Sequence, residues 1–288
     1  MNTRIEIPHR DEFSLAATIR SHGWSNLGPF RTDDAGERLT VHMDLDGPVR
    51  AEVIAGRGAL AVTADSTGPI SESRLVDTLR SCLRMDLDLE PFWNLCADDP
   101  ALAWVAEQRA GRILRAPTAF ADATMILATT NCSWALTRKM AAQLIRHWGV
   151  GGAFPQRERL ARVRADTLRA RASMGYRAPH LAAIARGECM EAWRASEAPT
   201  DELFQRALAL PGFGPYAAGH LLRSFGRFDY LCIDSMIRSR WTKQFPRRQP
   251  TESAISKHLT RYGEWMGLAL WMTVTEQWYR REAWHVGA

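Results

Sequence analysis

The chain has 288 residues, enough for two or three compact units with hydrophobic cores, and 46% of its residues are hydrophobic, as in ordinary globular proteins. Its net charge of +5 is unevenly distributed, because residues 1–100 carry 10 Arg and Lys against 17 Asp and Glu, whereas residues 101–288 carry 27 against 15. The sequence has no apolar run of 18 residues and no CxxC pair among its five cysteines, which argues against a membrane-spanning helix, a zinc site and a four-cysteine iron–sulfur loop.

The first 72 residues have the pattern of an antiparallel β-sheet domain. Residues 39–45 alternate apolar and polar side chains, as a half-buried strand does, and 49–54 and 59–63 continue the strand pattern. Glycine-containing turns separate these three segments. We therefore predict three strands at these places and a sheet domain over residues 1–72.

From residue 70 onward the apolar residues follow helical spacing. A first helix is predicted from a cap at Ser71 or Ser73 to about Arg84, with Leu75 and Leu79 on one face. Further helices are predicted over 87–97, 99–110, 117–128, 134–148, 157–172, 178–187, 201–209, 215–225, 234–244, 251–264 and 266–282. The excess of positive charge falls within this helical part, which suits it to a phosphate-bearing partner.

Residues 208–240 contain a pattern that points to a phosphate-binding hairpin. One predicted helix ends near Leu210, a Pro-Gly-Phe-Gly-Pro turn reverses the chain, and the next helix begins at Pro215. Glycines leave the backbone N–H groups of such a turn uncovered at a helix N-terminus, where phosphate binds. The hairpin residues predicted to contact a phosphate backbone are Pro211, Gly212, Phe213, Gly214 and Tyr216. The alternative is a plain turn that joins two helices.

A single carboxylate follows the hairpin. Asp234 lies 18 residues after Tyr216, directly after the apolar run 230–233. A phosphate-binding hairpin followed by a half-buried acid indicates chemistry on a nucleic acid. The alternative is that Asp234 caps the helix predicted to follow it, and the two roles are compatible.

This arrangement resembles the signature of the helix-hairpin-helix (HhH-GPD) DNA glycosylases, which consists of LPGxG, a helix, a Gly/Pro-rich loop and a catalytic Asp. Two other segments are similar to two branches of that superfamily. MGYRAPH at 174–180 matches the 8-oxoguanine glycosylases, and RMDLDLEPFW at 84–93 matches the bacterial alkyladenine glycosylases. The chain is therefore expected to stand between these two branches.

The resemblance implies an α+β fold, in which an N-terminal antiparallel sheet precedes a two-lobed, mainly helical body. The sheet domain would cover residues 1–72. A flanking helical lobe would combine 73–115 with 245–288, and a second lobe at 116–244 would carry the hairpin and Asp234.

In the resembled family, the residue that matches Asp234 is catalytic in an enzyme that extrudes a damaged base from duplex DNA. Such a carboxylate stabilises the oxocarbenium-like sugar and orients or deprotonates the attacking water. Bifunctional relatives carry Lys where this chain has Tyr216, and Tyr cannot form their Schiff base. The three lysines, Lys139, Lys243 and Lys257, all lie outside the hairpin. We therefore expect a monofunctional DNA N-glycosylase of base excision repair, a hydrolase acting on damaged purines.

The resemblance also indicates the surroundings of the extruded base. The residues predicted to form the base pocket are Tyr216, His220, Trp271, Leu270 and Trp24. An aromatic ring at position 216 attracts a cationic base, which favours alkylated purines. Leu270 and Val274 stand where the 8-oxoguanine branch has a base-reading Gln and a stacking Phe, which disfavours 8-oxoguanine.

Two further sites are implied. Asn131 is the candidate wedge that fills the gap left in the base stack, with a helix N-cap as its alternative role. Because the hairpin carbonyls of the family bind a monovalent cation, such an ion is expected near Leu210 and Gly212. No metal held by side chains, no iron–sulfur cluster and no required cofactor are expected.

The expected partner is double-stranded DNA that contains a damaged base, bound by a monomer without membrane contact. The N-terminal residues lack the apolar core of a signal peptide, so a cytoplasmic location, at the nucleoid in a bacterium, is expected. The alternatives are an 8-oxoguanine-type enzyme, a bifunctional glycosylase/AP lyase and a non-catalytic protein that binds damaged DNA.

Overall fold

The computed structural model of the protein describes residues 1–10 and 12–280 and begins with an antiparallel five-stranded sheet of order β1-β5-β4-β3-β2. The strands are β1 (Asn2–Pro8), β2 (Phe30–Thr32), β3 (Arg38–Asp44), β4 (Pro48–Ala55) and β5 (Ala59–Ser66). The three predicted strands are confirmed as β3, β4 and β5. β1 and β2 fall inside the predicted sheet region without a strand predicted for either, and β2 is too short for alternation to reveal it.

One face of the sheet is buried because apolar residues occupy every second position of its strands. Buried and more exposed side chains alternate along β4 and β5, and the register places Val53 opposite Val62. This face packs against α1 (Leu15–Ile19) and α2 (Glu72–Cys82). α1 lies in the segment for which only β structure is predicted.

The rest of the described chain is helical, which confirms the predicted α+β fold with a sheet followed by helices. The helices after α2 are α3 (Glu90–Ala97), α4 (Ala103–Glu107), α5 (Ala119–Thr129), α6 (Trp134–Trp148), α7 (Arg157–Ala161), α8 (Ala165–Ala172), α9 (Arg177–Arg186), α10 (Glu191–Arg194), α11 (Thr200–Leu208), α12 (Pro215–Phe225), α13 (Ser235–Gln244), α14 (Glu252–Leu259) and α15 (Met266–Tyr279). Two 3-10 helices cover Gly23–Asn26 and Thr260–Trp265. None of the helices in the described part of the chain is long and apolar enough to cross a membrane.

Four predicted helices differ clearly from the observed ones. The helix predicted at 99–110 is only the five-residue α4 (Ala103–Glu107). The helix predicted at 157–172 is broken into α7 and α8, because Arg164 is extended, and both halves pack on α9. The segment 251–264 is α14 followed by a 3-10 turn in which Gly263 has φ +52°. The last two residues of the helix predicted at 266–282 lie outside the described residues. α10 is a single turn, which is too short for periodicity to reveal.

Two hydrophobic cores organise the helical part. One joins α5, α6, α8, α9, α11 and α12, and the other joins α3 and α4 to α13, α14 and α15. α2 packs in the core beneath the sheet. α13 packs in the second helical core, which we call the core of the flanking helices. The boundaries 1–72, 73–115 plus 245–288, and 116–244 stay a prediction, and the last eight residues lie outside the described part. A cleft opens where the two helical cores meet.

Candidate active site

The hairpin between α11 and α12 is built around two glycines. Gly212 has φ +80°, and a Cβ there would stand 2.8 Å from the ring of His180, so only glycine fits. Phe213 is buried in the core, which anchors the turn, while its N–H donates to the carbonyl of Leu210. A Cβ on Gly214 would meet nothing within 4 Å. The turn therefore presents open backbone at the N-terminus of α12.

The N–H groups of this turn are available to a ligand. Within the described residues, no hydrogen bond uses the N–H of Gly212, Gly214 or Tyr216. The proline at the first position of α12 has no N–H to satisfy. This arrangement can bind an anion such as a backbone phosphate, because unpaired N–H groups meet the positive end of the helix dipole. The cation expected near the carbonyls of Leu210 and Gly212 stays a prediction.

A cleft of about 880 Å³ lies beside the hairpin. Its lining brings together eight of the residues selected from the sequence: Trp24, Asn131, Gly212, Gly214, Tyr216, His220, Asp234 and Trp271. Pro211 and Phe213 belong to the hairpin but do not line the cleft. Leu270 is a correction, because its side chain is fully buried in the core of the flanking helices and is absent from the lining.

Asp234 stands at the N-terminus of α13 with one oxygen engaged and the other available. Its Oδ1 accepts a hydrogen bond of 2.7 Å from the N–H of Ile237 and so caps the helix. No hydrogen bond joins Oδ2 to any described residue. The half-buried carboxylate lines the cleft, and its position at a helix N-terminus favours its negative charge.

Tyr216 and His220 form an aromatic pair one helical turn apart. Their ring centroids are 4.4 Å apart with an interplanar angle of 60°. Burial raises the pKa of the Tyr216 hydroxyl to about 12, and the nearby Asp234 carboxylate adds to this effect. Desolvation lowers the pKa of His220 well below its usual value, as does the positive charge of Arg223. Both side chains are therefore neutral at physiological pH.

Two arginines of the cleft are missing from the residues selected by sequence. Arg223 follows Tyr216 and His220 at spacings of seven and three, so helical periodicity along α12 places it on the same face. Arg240 donates to the carbonyl of Val274 at 2.8 Å, and its guanidinium carbon lies 4.8 Å from the ring centroid of Trp278. Periodicity from the hairpin motif could have found Arg223, whereas Arg240 carries no comparable sequence signal.

The loop between α5 and α6 forms one side of the mouth of the cleft. Arg177 is buried and donates to the backbone carbonyl of Thr130, which ties this loop to α9. Asn131 is exposed with φ +47°, and the 52% exposed ring of Tyr176 lies beside it. The alternative role of Asn131 as a helix N-cap is wrong, because Ser133 is the N-cap of α6.

Comparison with known proteins locates this architecture among DNA glycosylases. No family model and no curated protein sequence matches the chain. Solved structures do match. MBOgg1, in complex with a low-affinity DNA ligand, superposes with a TM-score of 0.75 at 19% identity and covers 97% of this chain and 96% of that one.

Two further solved structures match the chain to the same extent. The 3-methyladenine DNA glycosylase of Archaeoglobus fulgidus has a TM-score of 0.74 at 17% identity over 94% of this chain and 97% of that one. The 8-oxoguanine glycosylase/lyase of Clostridium acetobutylicum, in complex with DNA, has a TM-score of 0.74 at 14% identity. The match covers 96% of this chain and 97% of that one. The chain thus has the fold of the helix-hairpin-helix DNA glycosylases along nearly its whole length. The predicted placement between the oxoguanine and alkyladenine branches is confirmed at the level of the fold.

Proposed function

We propose that this protein is a monofunctional DNA glycosylase that removes a damaged purine from duplex DNA. The observation that carries the proposal is the free Oδ2 of Asp234, which lines the same cleft as the aromatic ring of Tyr216, next to the uncovered N–H groups of the hairpin. One chain supplies the whole cleft, which supports action as a monomer. Hydrolysis by a carboxylate and water needs no cofactor.

Binding of DNA follows from the hairpin and the loop at the mouth of the cleft. Phosphates would accept hydrogen bonds from the N–H groups of Gly212, Gly214 and Tyr216. Extrusion of a nucleotide leaves a gap in the stack, and the exposed Asn131 with the neighbouring ring of Tyr176 is placed to fill it. These contacts would hold the strand while the base enters the cleft.

Hydrolysis needs only the carboxylate and water. The bond between C1′ and the base nitrogen breaks with its electron pair moving to the base, and the sugar becomes oxocarbenium-like. The negative charge of Asp234 stabilises that cation and orients a water molecule, whose oxygen then bonds to C1′. One hydrogen of the water stays in the new C1′ hydroxyl, and the other leaves as a proton through Asp234. The departing base anion takes up one proton, so the protons balance. The products are the free base and an abasic site in an unbroken strand.

The lining of the cleft supports hydrolysis over strand cleavage. A lyase reaction needs an amine that forms an imine with C1′, and none of the three lysines is among the lining residues. At the position where bifunctional relatives carry Lys, the structure has the neutral hydroxyl of Tyr216. The bifunctional alternative therefore lacks its nucleophile in this cleft.

The surroundings of Tyr216 bear on the charge of the damaged purine. The expectation of an alkylated purine rests on the aromatic face of this residue. In the structure that ring packs against His220, and the guanidinium of Arg223 lines the same cleft. We therefore propose a damaged purine as the substrate class. The preference of the cleft for a cationic or a neutral purine depends on Arg223.

A single-turnover assay tests the proposed function. Labelled duplexes with one deaminated, oxidised or alkylated purine are incubated with excess protein, and the strands are analysed with and without hot alkali. Strand breaks that appear only after alkali treatment, with no adduct trapped by borohydride, are the expected result. Breaks without alkali together with a trapped adduct would establish the bifunctional alternative. Tight binding without base loss would establish a non-catalytic binder.

A further inference from the structure

We propose that Arg223 is a specificity-determining residue that selects neutral damaged purines with a carbonyl oxygen over cationic N-alkylated purines. This inference rests on the proposed function and names its substrate class. Arg223 belongs neither to the hairpin motif nor to the catalytic carboxylate.

Arg223 is a buried cation in contact with two aromatic rings. The residue is only 4% exposed, and its guanidinium carbon lies 4.4 Å from the ring centroid of Trp271. Its Nη2 lies 3.2 and 3.3 Å from the two ring nitrogens of His220. Contacts with both rings hold the planar group. Because Nε is buried and Nη2 contacts His220, the donors left for a ligand are Nη1 and the second N–H of Nη2.

Within the described part of the chain, the charge of Arg223 has no carboxylate partner. No carboxylate of residues 1–10 and 12–280 forms an ion pair with it, and its Nε has no hydrogen-bond partner in this part of the chain. The thiol of Cys232, which also contacts it, is a weak acceptor. A buried guanidinium without a carboxylate is energetically unfavourable unless a ligand completes its hydrogen bonds. Because Arg223 lines the cleft, an extruded base can supply those acceptors.

A guanidinium fits the edge of a carbonyl-bearing purine. Arginine donates two parallel hydrogen bonds to a carbonyl oxygen and an adjacent ring nitrogen, the geometry by which it reads guanine in DNA. Such an edge occurs on hypoxanthine, the base of deaminated adenine. In 8-oxoguanine N7 carries a proton, so the two carbonyl oxygens are the acceptors that remain for the guanidinium. A purine alkylated at N7 has lost the ring acceptor and carries a positive charge, which the cation in the same cleft repels.

The same residue would act on the departure of the base. When a neutral purine leaves, the electron pair of the broken bond makes the base an anion, and its charge spreads to the ring nitrogens and the carbonyl oxygen. Arg223 can neutralise this charge as it develops. A cationic purine leaves as a neutral molecule and gains nothing from a cation beside it. Arg223 therefore favours one class in both binding and reaction.

The test measures single-turnover excision of both classes by the full-length wild-type protein and by Arg223→Met and Arg223→Lys. Hypoxanthine and 8-oxoguanine duplexes represent the neutral class, and a 7-methylguanine duplex represents the cationic class. Rates are compared between proteins for each lesion, which removes the difference in intrinsic stability of the lesions. Affinity for a duplex with an abasic analogue, which offers no base, reports whether a variant keeps its fold and DNA contacts.

We expect Arg223→Met to slow excision of the neutral purines by roughly 100-fold. Its loss for 7-methylguanine should be at least about tenfold smaller, or that rate should rise, because only the neutral purine leaves as an anion. Arg223→Lys should excise the neutral purines at a rate between those of the wild-type protein and Arg223→Met, since it keeps the charge but loses the planar pair of donors. Equal loss for both classes at unchanged affinity for abasic DNA would overturn the inference.

The wild-type protein gives a second, independent measure if the variants fold poorly. Its rate enhancement over spontaneous base loss should be greater for the neutral class. A greater enhancement for 7-methylguanine would overturn the role of Arg223 and leave the proposed function standing. No excision of any lesion would overturn both.

Discussion

Two buried arginines meet the same turn of α12 and differ in what they bind. Arg223 faces the cleft with no carboxylate partner among the described residues. Arg115 reaches the next residue, Ser224, and donates to the carbonyls of Ser81 and Ser224 and to the Ser81 hydroxyl. A buried arginine whose donors all end on protein acceptors serves the fold, whereas one that keeps donors free toward a cleft is available for function.

The surroundings of Arg115 explain why its charge is tolerated. The carbonyl of Ser224 belongs to the last turn of α12, where carbonyls lack intrahelical partners and the helix dipole is negative. Arg84 donates to the same carbonyl at 3.2 Å and is close to Asp86. The two arginines therefore connect α12 to α2 and the segment that follows it. Burial still lowers the pKa of Arg115 to about 10.

The largest expected effect of a single change is at Asp234. Asp234→Asn should slow base excision by roughly 10³-fold or more, because the variant has no negative charge to stabilise the sugar cation. The amide oxygen of Asn still caps α13, so affinity for a duplex with an abasic analogue and the melting temperature should change little. Single-turnover excision and binding titration measure the two quantities. Wild-type excision by this variant would show that the free carboxylate oxygen is not catalytic.

The comparison of the two arginines predicts opposite effects on stability. Arg115→Met should lower the free energy of unfolding by roughly 2–4 kcal/mol, because it leaves buried carbonyls without a donor. Arg223→Met should change it by less than about 1 kcal/mol or raise it, because that substitution removes an uncompensated buried charge. Urea denaturation of both variants gives the two values. The comparison fails if Arg223→Met is the more destabilising of the pair.

Activity provides the matching half of the same comparison. Arg115→Met should excise at the wild-type rate per folded molecule at a temperature where it is fully folded. A large loss of rate in the folded variant would mean that both arginines influence the chemistry.

A smaller effect is expected from pH, through the buried carboxyl of Asp122. Burial raises its pKa to about 6, although its Oδ1 accepts from the N–H of Ala116. A raised pKa in the folded state means that the native protein binds the proton more tightly than the unfolded chain. Stability from this group is therefore greatest below about pH 4 and is lost as pH rises to about 6.

Asp122→Asn isolates this contribution. Between about pH 4 and 7 the stability of the variant relative to wild type should rise, by up to about 3 kcal/mol for a shift of this size. Urea midpoints at the two pH values measure the change, and other titrating groups cancel in the difference. A relative stability that does not depend on pH would show that Asp122 titrates normally in the folded protein.

The sequence predicts most of the hairpin side of the cleft, because glycine and proline at a turn have few structural meanings. The turn at 211–215, the ring of Tyr216 and the cap at Asp234 all follow from such local chemistry, and the structure brings them together. Strands β3 to β5 are equally accessible to prediction, since alternation over seven or eight residues is a clear pattern.

The opposite wall of the cleft cannot be predicted in the same way. α15 is buried along most of its length, so no polar face indicates which side meets the cleft. The sequence therefore does not separate the buried Leu270 from Trp271 and Trp278, which line the cleft. Arg240 reaches it only through packing between distant helices. Local patterns carry no information about such contacts.

The most direct test of the central claim is the release of a free base by the wild-type protein. Duplexes that contain hypoxanthine, 8-oxoguanine or 7-methylguanine are incubated with excess protein, and the supernatant is analysed by mass spectrometry alongside Asp234→Asn. We predict a stoichiometric amount of at least one free base from the wild-type protein, an abasic site in an intact strand, and no base from the variant. Bound DNA without any released base, or equal release by the variant, would contradict the account.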